Sequence, residues 1–200
     1  MTRRSIYVGS RKAGERVLLS ISNWLEKKLR LKVNPTKSGV RTIRDFTLLG
    51  FGFYGSKSGI QLRIAPRSYE RLKTKIRWLT RRNWPLSSSE RLDRMRVYLR
   101  GWLHYFVPAK AKKALRRIDE WTRTRLRMCI WKQWKVPKAR IRNLKRLGIP
   151  DWQAYQWGNT RKGYWRTAHS PVLSRSLTNE KLQEMGYYSL SAEYTRLHLT

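Results

Sequence analysis

Apolar positions switch between strand and helix periods over the first third of this chain and keep the helical period thereafter. Near the N-terminus, Ser5 to Val8 reads as a short β-type run, broken by Gly9, Ser10 and Gly14. A helix is predicted next: Val17, Leu18, Ile21, Trp24, Leu25 and Leu29 recur at 3.6-residue spacing, with Glu26, Lys27 and Lys28 on the opposite face. Leu31 to Val33 predicts a strand stopped by Asn34-Pro35. Two further strands are predicted around Phe46 to Phe53 and Ile60 to Ile64, joined by a hairpin-like loop from Gly55 to Gly59, and Pro66 closes the second.

From Ser68 onward the strand signal is gone. Ser68 is placed to cap a basic helix containing Leu72, Ile76 and Leu79, ended by Trp84-Pro85. Ser87 and Glu90 form a capping box for a helix through Leu92, Met95, Leu99, Leu103 and Phe106, which Pro108 stops. A third helix is predicted from Lys110 to Trp134, with Leu115, Ile118, Trp121, Leu126 and Ile130 on its apolar side. Pro137 opens a short basic helix that ends at Gly148. Short helices and exposed loops are expected beyond it. The fold class is therefore α+β: a β-α-β-β-β segment over residues 1–66, then an all-helical segment over 67–200. A domain of about 60 residues buries only around 60% of its unfolded surface, so the first segment is marginal by itself.

Charge adds the next constraint. The sequence has 46 Lys plus Arg against 12 Asp plus Glu, a formal net charge of +34. Like charges at that density repel in the compact state, and a polyanion relieves the repulsion. RNA, DNA and an anionic membrane surface are the candidate polyanions. Ten Trp and ten Tyr exceed what a disordered basic tail carries, so the chain is read as folded. Each aromatic is either core or a platform on which bases stack. Cys129 is the only cysteine, which excludes an internal disulfide and a thiolate zinc site. His104, His169 and His198 are scattered and lack metal-ligand spacing. No apolar run is long enough to span a bilayer, and the N-terminus lacks a signal-peptide core. The expected location is the cytoplasm, without membrane association.

Four clusters carry candidate chemistry. Asn34-Pro35-Thr36-Lys37-Ser38 is a turn signal, and in Leu49-Gly50-Phe51-Gly52-Phe53 the glycines mark a bulge or close backbone approach. In Arg100-Gly101-Trp102, a helical glycine points to close helix packing or to an approaching nucleic-acid backbone. Between Glu120 and Asp151 there is no acidic residue. Arg123, Arg125, Arg127, Lys132 and Lys135, interleaved with Trp131 and Trp134, are read as a phosphate-tracking face that continues through Lys138, Arg140 and Arg142. Asn159, Arg161, Lys162, Tyr164, Trp165 and Arg166 surround Gly163, a set suited to irregular or single-stranded RNA. A turn packed onto the helical segment by Tyr164 and Trp165 is the other reading of that set. Together with Lys37 and Arg100, these side chains are the candidate RNA contacts.

In this order the clusters resemble the reverse transcriptase/maturase proteins of bacterial group II introns. Tyr7-Val8-Gly9-Ser10-Arg11-Lys12-Ala13-Gly14-Glu15-Arg16-Val17 is similar to the palm segment after that family's catalytic box. Asn34 to Ser38 and Leu49 to Phe51 resemble its next two palm motifs. From about Ser68 the chain resembles the thumb, or maturase-specific X domain, through Arg100-Gly101-Trp102, Cys129 to Trp134 and Asn159 to Trp165. The resemblance implies a palm remnant over residues 1–66, and over 67–200 a thumb/maturase domain with a C-terminal RNA-binding extension. It implies binding of group II intron RNA, stabilisation of the intron's active fold and promotion of splicing. DNA target or RNA/DNA duplex would be further partners of a complete member.

The departures from the family matter as much. Where its Tyr-x-Asp-Asp box belongs, this chain reads Met1-Thr2-Arg3-Arg4-Ser5. Polymerase chemistry needs carboxylates holding two divalent metals about 4 Å apart. Asp45, Asp93, Asp119 and Asp151 are the only aspartates and stand apart in sequence. No catalytic or metal-ligating residue is assigned, and the Mg2+ of a complete member has no expected ligands. The chain alone is expected to be inactive as an RNA-directed DNA polymerase. Two alternatives stand beside the RNA-binding maturase fragment. One is the C-terminal half of a split enzyme, active with an upstream palm/fingers fragment. The other is a basic structural RNA-binding protein with no intron role.

Overall fold

The computed structural model describes residues 5–56 and 59–199. The chain divides into two compact units, Met1–Arg63 and Ile64–Thr200. The α+β class holds: a small antiparallel sheet is followed by a series of helices.

Unit 1 begins without a strand. Residues 5–8 have no ladder partner, and Tyr7 instead sets its ring edge-on to Phe46 at 6.2 Å. Helix α1 (Arg11–Leu29) follows, capped by Ser10, whose hydroxyl accepts from the Ala13 N–H. It ends at Arg30, in the left-handed region at φ 50°, and the N–H groups of Arg30 and Leu31 both reach the Leu25 carbonyl. That cap occupies Leu31, and the expected strand at Leu31 to Val33 does not form. Asn34 then closes a local turn, its side-chain oxygen accepting from the N–H groups of Thr36 and Lys37.

The run expected as one strand from Phe46 to Phe53 folds back on itself. Strands β1 (Thr47–Leu48) and β2 (Phe51–Ser56) pair antiparallel, with Leu48 opposite Phe51. Leu49 (φ 49°) and Gly50 (φ 83°) form the connection, both at the positive φ that a two-residue primed hairpin turn demands. Gly50 is therefore a turn residue rather than a bulge. Gly52 does mark a close approach, since a Cβ there would meet the Arg63 side chain at 3.2 Å. Strand β3 (Gly59–Ile64) completes the order β1-β2-β3. Of the loop expected at Gly55 to Gly59, Lys57 and Ser58 lie outside the described residues, as do Met1 to Arg4.

Unit 2 is built around three long helices, α2 (Pro66–Leu79), α3 (Ser88–Phe106) and α4 (Lys112–Gln133). The expected apolar stripes are its core. Leu72, Ile76, Leu92, Leu99, Leu115 and Leu126 are all at most 3% exposed. Both halves of the Ser87/Glu90 capping box are present. Ser68, however, is no cap: α2 starts at Pro66, a residue whose fixed φ suits the first helical position, and Ser68 is buried inside its first turn. Helix α2 also stops well before Trp84-Pro85. Buried Arg91 explains the early stop, because its guanidinium donates to the carbonyls of Leu79, Arg81 and Trp84 that a continuing helix would need.

Six shorter helices follow: α5 (Pro137–Arg146), α6 (Asp151–Gly158), α7 (Tyr164–Ala168), α8 (Pro171–Ser176), α9 (Asn179–Glu184) and α10 (Leu190–Leu199). Packing of α6 on α5 depends on Gly158, where a Cβ would come within 2.5 Å of Ile141 Cγ1. Asp119 joins α10 to α4. This buried carboxylate accepts from Tyr187 Oη (2.8 Å), Ser189 Oγ (3.0 Å), the Leu190 N–H (3.0 Å), and the Ser191 N–H (2.8 Å) and Oγ (2.6 Å). It thereby takes up the free N–H groups of Leu190 and Ser191 at the start of α10, while Ser189 Oγ accepts from the Ala192 N–H. Burial and the neighbouring Asp119 charge push the Tyr187 hydroxyl pKa well above its ordinary value, so it stays a donor.

Candidate nucleic-acid interface

Helix α4 leaves the core at Trp134, and Val136 is extended, placing Pro137 in the first turn of α5. That turn has neither a side-chain cap nor an acidic residue, so the start of α5 is an uncompensated positive end. Arg140 fixes the junction. Its Nε donates to the Trp134 carbonyl at 3.0 Å, and its guanidinium carbon lies 4.7 Å from the Trp131 ring centre. A longer contact of 3.5 Å reaches the Thr160 carbonyl and ties α5 to the loop after α6.

That loop is shaped by its own side chains. Asn159 Nδ2 donates to the Tyr155 carbonyl at 2.9 Å, and Thr167 Oγ1 donates to the carbonyls of Lys162 and Gly163. Arg161 and Lys162 are left pointing outward, exposed and without an ion pair among the described residues. An open cleft of about 590 Å³ results, lined by Pro137, Arg140, the residues 159–163 and Tyr164, with no carboxylate in its wall. Arg82, from the turn between α2 and α3, places its guanidinium 5.7 Å over the Tyr164 ring. Cations, an amide, hydroxyls and an aromatic face are thus gathered without an internal counter-charge. Such a surface suits phosphates and unstacked bases.

Five of the sequence candidates meet in this cleft: Arg140, Asn159, Arg161, Lys162 and Tyr164. Lys135, Lys138 and Arg142 are exposed around the start of α5, and Lys132 donates to Asn83 Oδ1 at 3.0 Å. Trp165 is 42% exposed, edge-on to His169 at 4.6 Å, and Arg166 is exposed beside it. Lys37 lies in unit 1, exposed on its turn.

The single face expected along α4 is divided. Residues two apart on a helix point about 200° apart. Arg125 turns to α2, donating to Thr80 Oγ1 at 2.6 Å, while Arg127 turns to the α8–α9 link, donating to the Leu177 carbonyl at 2.8 Å. Burial lowers both guanidinium pKa values from their ordinary level. Arg123 lines a second cleft of about 620 Å³ whose wall also contains Glu120 and Glu180. Trp131 is fully buried and Trp134, the residue that ends this helix, is half-buried against it, while half-buried Trp121 has the guanidinium carbons of Arg77 and Arg125 at 5.5 and 5.3 Å from its ring centre. Arg100 is exposed on α3. Gly101 beside it has nothing within 4 Å of where a Cβ would stand, so close helix packing does not explain this glycine.

Sequence reasoning missed Arg82. Its signal was the Arg81-Arg82 pair where α2 ends, but its partner lies 82 positions away in Tyr164. Apart from Asp119, the aspartates serve locally: Asp45 accepts from Thr42 Oγ1, Asp93 pairs with Arg96, and Asp151 pairs with Lys145. Among the described residues, no three His, Cys, Asp or Glu side chains gather as a metal site, and no helix is long and apolar enough to cross a membrane. Compared with known proteins, residues 69–148 match the family model described as the group II intron maturase-specific domain. No curated protein matches the chain.

Proposed function

We propose, from the premise that residues 69–148 are a group II intron maturase-specific domain, that the chain binds folded intron RNA and promotes its splicing. The observation that supports this most directly is the cleft of Arg140, Asn159, Arg161, Lys162 and Tyr164, basic, partly aromatic and free of carboxylates. Intron RNA is placed with its phosphates on Arg161, Lys162, Lys135, Lys138 and Arg142, and with an unstacked nucleotide against Tyr164. Arg140, Arg125 and Arg127 act as frame, because their donors are engaged by main-chain and hydroxyl oxygens.

The test is a salt titration of binding to a group II intron RNA and to an unrelated structured RNA of equal length. Preference for the intron is expected at high salt, where the sequence-independent phosphate contribution is reduced. Equal affinities would remove the intron role and leave a general RNA-binding protein. The double substitution Arg161→Ala, Lys162→Ala is expected to flatten the dependence of log K on log salt by about two slope units.

A second reading has one observation in its favour. Ile6, Tyr7, Leu19, Trp24, Ile43 and Ile60 of unit 1 are all at least 40% exposed, an apolar set that a separate palm/fingers fragment would cover. Co-expression with the polypeptide encoded upstream tests it; failure to co-purify removes it.

A further inference from the structure

The turn between α2 and α3 carries a group of side chains that the cleft does not use. Trp78, in the last turn of α2, and Trp84, in the turn itself, stand with ring centres 4.3 Å apart and planes at 57°. Lys75 Nζ lies 4.0 Å over the Trp78 ring, and the Arg94 guanidinium carbon lies 5.5 Å over Trp84. Trp78 is 38% exposed, although an indole gains much from burial. None of the ion pairs among the described residues includes Lys75 or Arg94.

The turn is held rigidly. Buried Arg91 grips its carbonyls, and Asn83 accepts from Lys132 of α4. It is also continuous with the cleft, because Arg82 reaches over Tyr164 from the same few residues. Two indoles fixed beside cations, with one edge of the group joined to a phosphate-binding cleft, match the chemistry of single-stranded nucleic acid. Bases stack on aromatic faces while the backbone follows positive charge.

We propose that Trp78 and Trp84 form a stacking platform for an unpaired base of single-stranded RNA whose backbone continues into the cleft. The proposal rests on the RNA-binding reading above. An entering base displaces Lys75 from the Trp78 face. That exchange is favourable because base–indole stacking exceeds a solvent-exposed cation–π contact. Once displaced, the Lys75 ammonium is free to meet the phosphate of the stacked nucleotide.

The test crosses a change in the protein with a change in the RNA, using the full chain. The probe is an RNA hairpin with a single-stranded flank, made either with bases or with abasic sites throughout the flank. Wild type is expected to bind the base-bearing flank roughly 5- to 100-fold more tightly than the abasic one. Trp78→Ala is expected to lose that difference while keeping its affinity for the abasic RNA, which also reports an intact fold. If Trp78→Ala binds neither RNA, Trp78→Phe decides: a retained difference supports the platform and equal binding overturns it. A full difference in Trp78→Ala overturns the platform, as does its absence in wild type while both RNAs still bind. Failure of wild type to bind either RNA overturns the RNA-binding reading as well, so the two failures are told apart.

Discussion

Helices α1 and α3 have the same length, 19 residues, and each starts at a serine whose hydroxyl accepts from the first turn. Their interiors differ. Along α3, Leu92, Met95, Leu99, Leu103 and Phe106 are buried; along α1 only Gly14 is. Val17, Leu18, Ile21 and Leu25 of α1 are half-buried, and Trp24 and Leu29 are more than half exposed. An apolar stripe is a property of one helix, whereas a core is a property of two facing surfaces. Helices α2 and α10 provide the second surface for α3. Within unit 1 the described residues offer three short strands, and Gly14 and Gly52 are its only buried positions.

The largest expected consequence is in local opening. Amides of α2, α3 and α4 should resist hydrogen exchange by on the order of 5 kcal/mol more than those of α1. Exchange read by mass spectrometry checks this, and equal protection would erase the contrast. Side-chain truncation sharpens it. Leu99→Ala should cost about 2–5 kcal/mol in urea unfolding, and Leu19→Ala, at a 66% exposed position, should stay within about 0.5 kcal/mol. Next comes Asp119→Ala, expected to cost about 3 kcal/mol because several buried donors lose their acceptor together; a shift in urea midpoint reports it. The smallest pair concerns glycines. Gly158→Ala should destabilise by about 1–3 kcal/mol through the clash with Ile141. Gly101→Ala, which meets open space in mid-helix, should stabilise by about 0.5–1 kcal/mol. Thermal melts of the two variants should therefore move in opposite directions.

What was legible in the sequence follows the range of the forces involved. The Ser87/Glu90 box, the Leu92-to-Phe106 stripe and the α5 start at Pro137 depend on neighbours within a few residues, and they stand as read. Strands at Ser5 to Val8 and Leu31 to Val33 had the right residues, but a strand exists only with a ladder partner, which short-range pattern does not contain. Density of charge showed that the second half of the chain is basic. It did not separate Arg125 and Arg127, held by internal acceptors, from Arg161 and Lys162, left outward. Arg82 and Arg91 act through partners that only the folded chain brings near. Asn159, Arg161, Lys162 and Tyr164 of the fourth cluster converge on a cleft because they follow one another closely from the end of α6 to the start of α7, whereas Trp165 and Arg166 lie outside its lining.

Asp119 bears on where this domain can be cut. It lies within the stretch 69–148 that matches the family model, but the donors that satisfy it come from Tyr187, Ser189, Leu190 and Ser191. A polypeptide trimmed to the matched borders would keep the acid and lose all of those partners, leaving its carboxyl group facing the hole where α10 had been. The boundary recognisable from kinship is therefore shorter than the boundary of the folding unit. An expression fragment of the helical half should run from Ile64 through Leu199.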